Sequence, residues 1–289
     1  MKLVLTRLAL IFTACLSSIC LSSPAFAWGE YGHKSTADIA AANISPASAK
    51  IIKRLFASEK LLGTPQCSLK NLRDASVWAD CVRRDRLRWG YTAPWHYQGH
   101  DICKPWEPDT ACANGNCVSA QVDRNAALLA DKTLPDHVRL EALAWLVHFT
   151  GDLHMPLHSG SRDDLGGNRI AAAYGIVEGR MNLHRLWDGP LAERAISEEA
   201  NIARRYSAAM RTKTGAGSVA DWQREAFIIA RDVVYPSAQE RAACSAPLTE
   251  GERAIIDNDE IALQAPIARE QVRKAGLRIA ILIDNALAS

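Results

Sequence analysis

No excess of positive charge is left in this chain once its first 27 residues are set aside. The formal net charge of +2 is carried by Lys2 and Arg7, so residues 28–289 hold 32 basic against 32 acidic side chains. A nucleic-acid binder that relies on counterion release shows a basic footprint. None is visible, so a polyanionic ligand would need positive charge from another source. There is no Gly/Ser linker, low-complexity run or internal repeat, which argues against separate modules and for one large domain. Beyond the first segment no stretch approaches ~20 uninterrupted apolar residues, which excludes a membrane-spanning helix on hydropathy. The cysteines lack paired C-x-x-C knuckles, which excludes a zinc-finger reading of them. Neither Cys15 nor Cys20 has lipobox flanks, so a lipid anchor is not expected.

The first segment itself has the parts of a secretory leader. Lys2 and Arg7 form a basic n-region, Leu8–Leu21 is apolar, and Ala25-Phe26-Ala27 is a small-x-small cleavage site. Residues 1–27 are therefore expected to be a signal peptide and residues 28–289 the mature domain, secreted or periplasmic and of bacterial type. Cleavage leaves Trp28 as the first residue, with a free α-amine five residues from His33. Six cysteines remain, Cys67, Cys81, Cys103, Cys112, Cys117 and Cys244. An even number in an oxidising compartment predicts three disulfides, with about 15 pairings open to them.

Most of the mature chain reads as amphipathic helix. Apolar residues recur at three- and four-residue steps through Ile39–Phe56, Leu69–Val82, Val122–Leu129, Leu140–Leu153, Leu191–Met210, Trp222–Val234 and Ala254–Leu287, the last interrupted near Pro266. Two stretches escape the pattern. Gly99–Ser119, rich in Pro, Gly and Cys, reads as a stapled surface loop, and Gly160–Gly179, with Gly166-Gly167-Asn168, reads as a small hairpin. The expected fold is mainly α, a single helical domain with a small hairpin and disulfide-stapled loops.

The chemistry gathers near the helix beginning at Leu140. His148 and Asp152 stand four residues apart, so they share one helix face; His158 follows shortly after Pro156, which ends that helix. The same spacing recurs at His184 and Asp188. Two imidazole–carboxylate pairs on two helices suit zinc, which takes nitrogen and oxygen ligands. A lone pair of this kind is more often a solvated hydrogen bond, but two pairs, a third histidine and a histidine near a cleaved Trp terminus shift the balance toward metal. Asp80 stands on a predicted helix with Arg83 one turn on, and His96 with Tyr97 follows sixteen residues after Asp80. Alone, Asp80 and Arg83 would be an intrahelical ion pair and His96 an aromatic-cluster histidine.

Taken together, these residues resemble the single-strand-specific zinc nucleases and 3′-nucleotidases typified by mung bean nuclease and its fungal relatives. The motifs run in order from Trp28 to Asp188, and the resemblance covers nearly all of the mature chain. It implies a mostly helical domain of the type shared with zinc phospholipase C, with three Zn²⁺ ions in a cleft. Asp80, His96, His148 and Asp152 match the ligands of one ion. Trp28, through its amine and carbonyl, with His33 and again Asp152, matches those of its close neighbour, and His158, His184 and Asp188 match a more separate third. Arg83 is implied as a donor to phosphoryl oxygens, and Asp80 as a group that also orients the attacking water. Tyr97 is implied to line the substrate site and stack a base, with a core aromatic beside Trp95 as the other reading. The disulfide pairs implied are Cys112–Cys117 and Cys103–Cys244, which leaves Cys67–Cys81.

Three zinc ions would bring six positive charges against the carboxylates of Asp80, Asp152 and Asp188, leaving about +3. That is a source for the positive charge the side chains lack. Two features depart from the family pattern: Gln98-Gly99-His100 stands where an acidic residue often follows the aromatic, with Asp101 a possible substitute, and Met155 stands where Gln is common. His154 is expected to be structural or to support the ligands, and His100 and His137 to be surface residues.

The activity implied is hydrolysis of single-stranded RNA and DNA to 5′-phosphorylated products, with 3′-nucleotidase activity and no obligate protein partner. Zinc phospholipase C, the alternative, has a longer gap between its first Trp and His and a Glu where this chain has Asp188. A non-catalytic exported zinc-binding protein is the third reading; an open, multi-segment site with a phosphate-type arginine argues against it, because storage sites are coordinatively closed.

Overall fold

Fourteen of the 18 residues of the helix Asp136–Leu153 are buried. A helix apolar on nearly every side must sit inside the molecule, and the rest of the chain wraps this one. In the computed structural model, which describes residues 28–246, 248 and 252–288, it is α6. The expected leader and its cleavage site lie outside the described residues. Before α6 come α1 (Glu30–Asn43), α2 (Pro46–Phe56), α3 (Leu72–Val82), the short α4 (Arg86–Trp89) running into a 3-10 turn (Gly90–His96), β1 (His100–Asp101) and α5 (Val118–Ala130). After it come α7 (Pro156–Ser159), β2 (Gly160–Ser161), β3 (Ala171–Tyr174), β4 (Val177–Asn182), α8 (Leu183–Leu186) and α9 (Ala192–Ser197). The chain closes with α10 (Ala208–Thr214), α11 (Val219–Ile229), α12 (Tyr235–Gln239), β5 (Ala254–Ile256) and α13 (Asn258–Ala288). The mainly helical fold is as expected. Among the described residues no helix is long and apolar enough to cross a membrane.

Two apolar clusters fill the interior. The first gathers α2, α3, α5 and α6 around Trp78, Trp89, Trp95 and Trp145, and the second gathers α7, α8, α9, α12 and the small sheet around Trp28, Trp187 and Tyr235. Helix α13, about 46 Å long at 1.5 Å per residue, serves both: Ile261–Leu277 lies in the second and Ile279–Leu287 in the first.

Local chemistry sets the helix boundaries. The expected helix Ile39–Phe56 is two helices, because Ile44 is extended and the Ser45 side chain caps α2, with Pro46 at its first position. The expected helix Leu191–Met210 is also broken. Asn43 accepts from Tyr206 N at 2.9 Å and donates to Arg204 O at 2.8 Å, which holds that strand of chain irregular, and Ser207 caps a new helix, α10. At the C-terminal end the difference runs the other way. Ala254–Ile256 is a strand, parallel to β3, and α13 begins only after Asp257, whose carboxylate accepts from Asp259 N and Glu260 N. From there the helix passes Pro266 without a break; the loss of about 3 kcal/mol is offset by burial of Ile261, Ala265, Ala268 and Val272 on the core.

The hairpin expected in Gly160–Gly179 is present as β3–β4, and β5 joins it to make a three-stranded sheet. The loop Gly99–Ser119 is stapled as expected, and β1 within it pairs parallel to β2, His100 opposite Gly160. The disulfides are Cys67–Cys81, Cys103–Cys244 and Cys112–Cys117. The second ties the central loop to the segment after α12 across 141 residues of sequence.

Candidate metal centre

Three groups of buried side chains could each hold a metal ion: Asp80, His96 and His148; His33, His148 and Asp152; and His158, His184 and Asp188. In each the donor atoms lie within 4.8 Å of one another. The eight residues come from α1, α3, the 3-10 turn, α6, α7, α8 and a π-helical turn (Trp187–Leu191) that carries Asp188. His148 belongs to two of the groups. Asp152 faces both of those groups, with Oδ1 3.3 Å from His33 Nε2 and Oδ2 3.0 Å from His96 Nδ1 and 3.2 Å from His148 Nε2.

The residues fit a cation. Both nitrogens of His33, His96 Nε2, Asp152 Oδ1 and both oxygens of Asp188 are buried with no hydrogen-bond partner. His33 and Asp152, like His184 and Asp188 at 3.2 Å, are close but are not aligned as hydrogen bonds. Leaving this many buried polar atoms unmatched costs about 1–3 kcal/mol each, which a bound ion removes. In the third group His158 Nε2 faces His184 Nε2 at 3.2 Å, two ring nitrogens converging on one point.

Backbone carbonyls orient the rings. His148 Nδ1 donates to Ser76 O at 2.7 Å, His158 Nδ1 to His96 O at 2.6 Å and His184 Nδ1 to Gly166 O at 2.7 Å. A carbonyl can only accept, so each Nδ1 carries the proton and each Nε2 is free to face the cluster. Gly151 lets α1 approach α6: a Cβ there would lie 2.8 Å from the His33 ring.

Burial and charge divide the titrating groups. Burial lowers the pKa of His33 and His96, and takes His158 to about 3. At His148 burial opposes the cation, but the Asp152 and Asp80 carboxylates raise its pKa. Burial likewise opposes charge on Asp152, yet His148, His33 and His96 hold it well below the usual carboxylate range. In the third group burial wins at Asp188, which is pushed up to about 6, while Asp188 raises His184 against its burial.

The remaining expected residues fall as follows. Arg83 contacts Asp80 Oδ1 at 2.8 Å, so the intrahelical pair exists and sits at the edge of the cluster; the same oxygen is 3.9 Å from His96 Nδ1 and 4.0 Å from His148 Nε2. Tyr97, next to His96, is 52% exposed, so it is not a core aromatic. Trp28 is fully buried before α1, and Gly29 N donates to Asp188 O at 2.7 Å. Met155 is buried, and its sulfur accepts from Leu157 N at 3.0 Å at the head of α7. His154 turns away from the cluster: Nδ1 donates to Thr150 O at 2.7 Å, and Nε2 accepts from Arg278 at 2.8 Å. Asp101 is occupied by Cys103 N and Lys104. The surface reading of His100 is corrected: its ring is buried, bonded through Nδ1 to Gln98 O and Ser159 O and through Nε2 near Glu107 O.

Two residues escaped the sequence reading. Asp164 Oδ1 accepts from Gly167 N at 2.9 Å and from Tyr235 OH at 2.7 Å, with Arg162 N and Ser161 Oγ at 3.3 Å. This carboxylate shapes the loop whose Gly166 O holds His184. Gly166 has φ +60°, and a Cβ on it would come within 2.1 Å of Leu157 O, so only glycine fits. The signal was an Asp two residues ahead of adjacent glycines; Tyr235 left none.

A family model described as S1/P1 Nuclease matches residues 28–288. Among curated proteins, the chain is 26% identical to Endonuclease 2 of Arabidopsis thaliana over 281 residues, 89% of this chain and 90% of that one. It is 23% identical to Nuclease S1 of Aspergillus oryzae over 286 residues, 93% of this chain and 94% of that one. With Nuclease P1 of Penicillium citrinum it shares 27% identity over 181 residues, 60% and 61% of the two chains.

Proposed function

The chain belongs to the S1/P1 nuclease family, and from that membership we propose that it is a zinc-dependent phosphodiesterase acting on single-stranded RNA and DNA. Its products are 5′-phosphorylated, it also removes phosphate from 3′-nucleotides, and it holds three Zn²⁺ ions. The three buried histidine–carboxylate groups with unmatched donor atoms carry this reading. Asp80, His96, His148 and Asp152 would hold one ion; His33, Asp152 and the amine and carbonyl of Trp28 its neighbour; His158, His184 and Asp188 the third. The amine is available only if the leader is cut after Ala27, so the mature protein is a secreted or periplasmic one.

Zinc in these places would polarise phosphoryl oxygens and supply a water acidic enough to deprotonate near neutral pH. Asp152 offers one oxygen to each side of the first two groups, which suits it to bridge. Asp80 would orient the attacking water. Arg83, held by Asp80 at 2.8 Å, would donate to a non-bridging phosphoryl oxygen as charge builds there. Exposed Tyr97 would stack on a base, a contact that tolerates any sequence but needs the base unpaired.

The test is product analysis in zinc buffer with a single-stranded oligonucleotide, a duplex, a 3′-mononucleotide and phosphatidylcholine side by side. Cleavage of the single strand to 5′-phosphorylated fragments, with release of phosphate from the mononucleotide, is expected. Turnover of phosphatidylcholine in preference to both would make it a phospholipase C. Zinc content without turnover of any substrate would make it a zinc-binding protein.

A further inference from the structure

Between Arg83 and His96 the chain leaves the metal cluster and returns to it. It departs from the end of α3, which carries Asp80, and comes back through the 3-10 turn that ends on His96. Both ends of the excursion are thus fixed at candidate ligands. Its outer part is Arg83-Arg84-Asp85-Arg86-Leu87-Arg88, four arginines and one aspartate, a local charge of +3. With residues 28–289 balanced at 32 basic and 32 acidic side chains, the rest of the mature chain carries −3. A local excess of positive charge invisible in the total thus stands on a segment beside the site.

Two of these arginines have structural work. Arg83 contacts Asp80, and Arg88 donates to Leu62 O at 2.8 Å and Gly63 O at 3.1 Å while lying 4.6 Å over the Trp89 ring, which pins α4 to the body. Arg84 and Arg86 are exposed, and neither guanidinium meets a carboxylate or carbonyl partner among the described residues. Exposed apolar surface is interleaved with them: Leu87 is fully exposed and Tyr91 is 60% exposed. The Tyr91 ring stands edge-on to Trp95 at 5.3 Å, and the Arg124 guanidinium lies 5.9 Å from the same indole. Cations for phosphates alternating with rings for bases are what a single strand needs along its path.

We infer that Arg84–Tyr91 is the track for the single strand beyond the bond being cleaved, with Arg84 and Arg86 on backbone phosphates and Tyr91 against an unpaired base. This rests on the nuclease reading above and extends it from the scissile phosphate to the rest of the substrate. A dinucleotide is too short to use the track.

The experiment compares kcat/KM for a single-stranded 20-mer and a dinucleotide, at about 50 and about 200 mM salt. The proteins are the zinc-loaded wild type, R84A/R86A and R84K/R86K. Each phosphate contact on a single strand adds about −0.7 to the salt exponent. Two contacts therefore make the wild type's 20-mer loss between those salts about sevenfold greater than that of R84A/R86A. The ratio of 20-mer to dinucleotide rates should fall in the alanine variant at low salt, and the lysine variant, which keeps the charge, should restore the salt dependence. Equal salt dependence in wild type and R84A/R86A, or a loss on the dinucleotide as large as that on the 20-mer, overturns the inference, while dinucleotide hydrolysis by the wild type still upholds the nuclease reading. A wild type that hydrolyses neither substrate overturns both.

Discussion

His148 and Asp152 stand one turn apart on an 18-residue helix packed on several sides, whereas His184 and Asp188 stand one turn apart across the four-residue α8 and a π-helical turn. The sequence spacing is the same and the construction is not. In the first region the backbone is held by the core: α6 lies against α3, α5 and α13, helix geometry sets the spacing of ring and carboxylate, and a carbonyl of the packed helix α3, Ser76 O, orients the His148 ring. In the second the helix is too short to hold itself, since an isolated turn of helix is unstable. There a loop fixed by Asp164, Tyr235 and Gly166 supplies the carbonyl that orients His184. One region depends on packing and the other on a chain of hydrogen bonds, and substitutions should separate them.

The largest effect is expected at Asp152, which faces both groups of the first region. Asp152→Ala should lose more than one zinc per chain and at least about 1,000-fold in kcat on single-stranded substrate, with the third ion retained. Elemental analysis showing a loss of one ion or none would mean that Asp152 does not bridge. Next is the N-terminus, which on the proposed assignment belongs to the same region. A mature protein beginning Gly-Trp28 converts the amine into an amide, a very poor zinc ligand, and should lose about 100- to 1,000-fold in rate at unchanged helicity. Equal turnover of the two forms would exclude a catalytic role for the terminus.

A smaller effect, confined to the third group, should follow from Asp164. Asp164→Ala removes the acceptor for Gly167 N and Tyr235 OH and lets the loop that holds His184 relax. Loss of such a support typically costs about 10- to 100-fold in metal affinity. Titration of the metal-free protein with zinc should show one weakened site and two unchanged. Asp164→Asn, which keeps an accepting oxygen, should recover most of the affinity; weakening of all three sites together would point to general misfolding instead.

The same contrast explains what could be read from the sequence. His148 with Asp152 and His184 with Asp188 were legible because a four-residue step on any helix brings two side chains together. The helices themselves were legible where one apolar face persists, as in α3, α5 and α11, or where apolar residues run nearly all round, as in α6. Leu191–Met210 misled because Ile196, Ile202 and Tyr206 are all buried along a chain held irregular by Asn43, a partner more than 150 residues away in sequence. Ala254–Ile256 misled because strand pairing to β3 is likewise non-local. Tyr235 and the burial of His100 stayed hidden for the same reason: their partners, Asp164 and Ser159, are 71 and 59 residues away in sequence.

The smallest effect, and the sharpest on the third group alone, concerns protons in the metal-free protein. Burial pushes Asp188 up to about 6 from an ordinary value of 3.8. The folded chain therefore binds a proton between those values that the unfolded chain has lost, and the stabilisation is fully present below about 3.8 and disappears as pH rises through about 6. His184, also raised, adds in the same direction, because its bound proton favours the folded state and is released at higher pH. Asp152 is held well below the carboxylate range; its stabilisation is present above 3.8 and lost only as pH falls through its lowered pKa, so it contributes no slope of its own between pH 5 and 7.5. Asp188→Asn abolishes the proton at position 188 and the carboxylate that raises His184. In chelator-treated protein, the stability of Asp188→Asn relative to wild type should therefore rise, on the order of 1 kcal/mol, from pH 5 to pH 7.5. Urea unfolding of both proteins at the two pH values measures it. A difference that stays constant, or shrinks with rising pH, would show that Asp188 is already ionised in the metal-free protein and that the third group is held open by something other than its own buried acid.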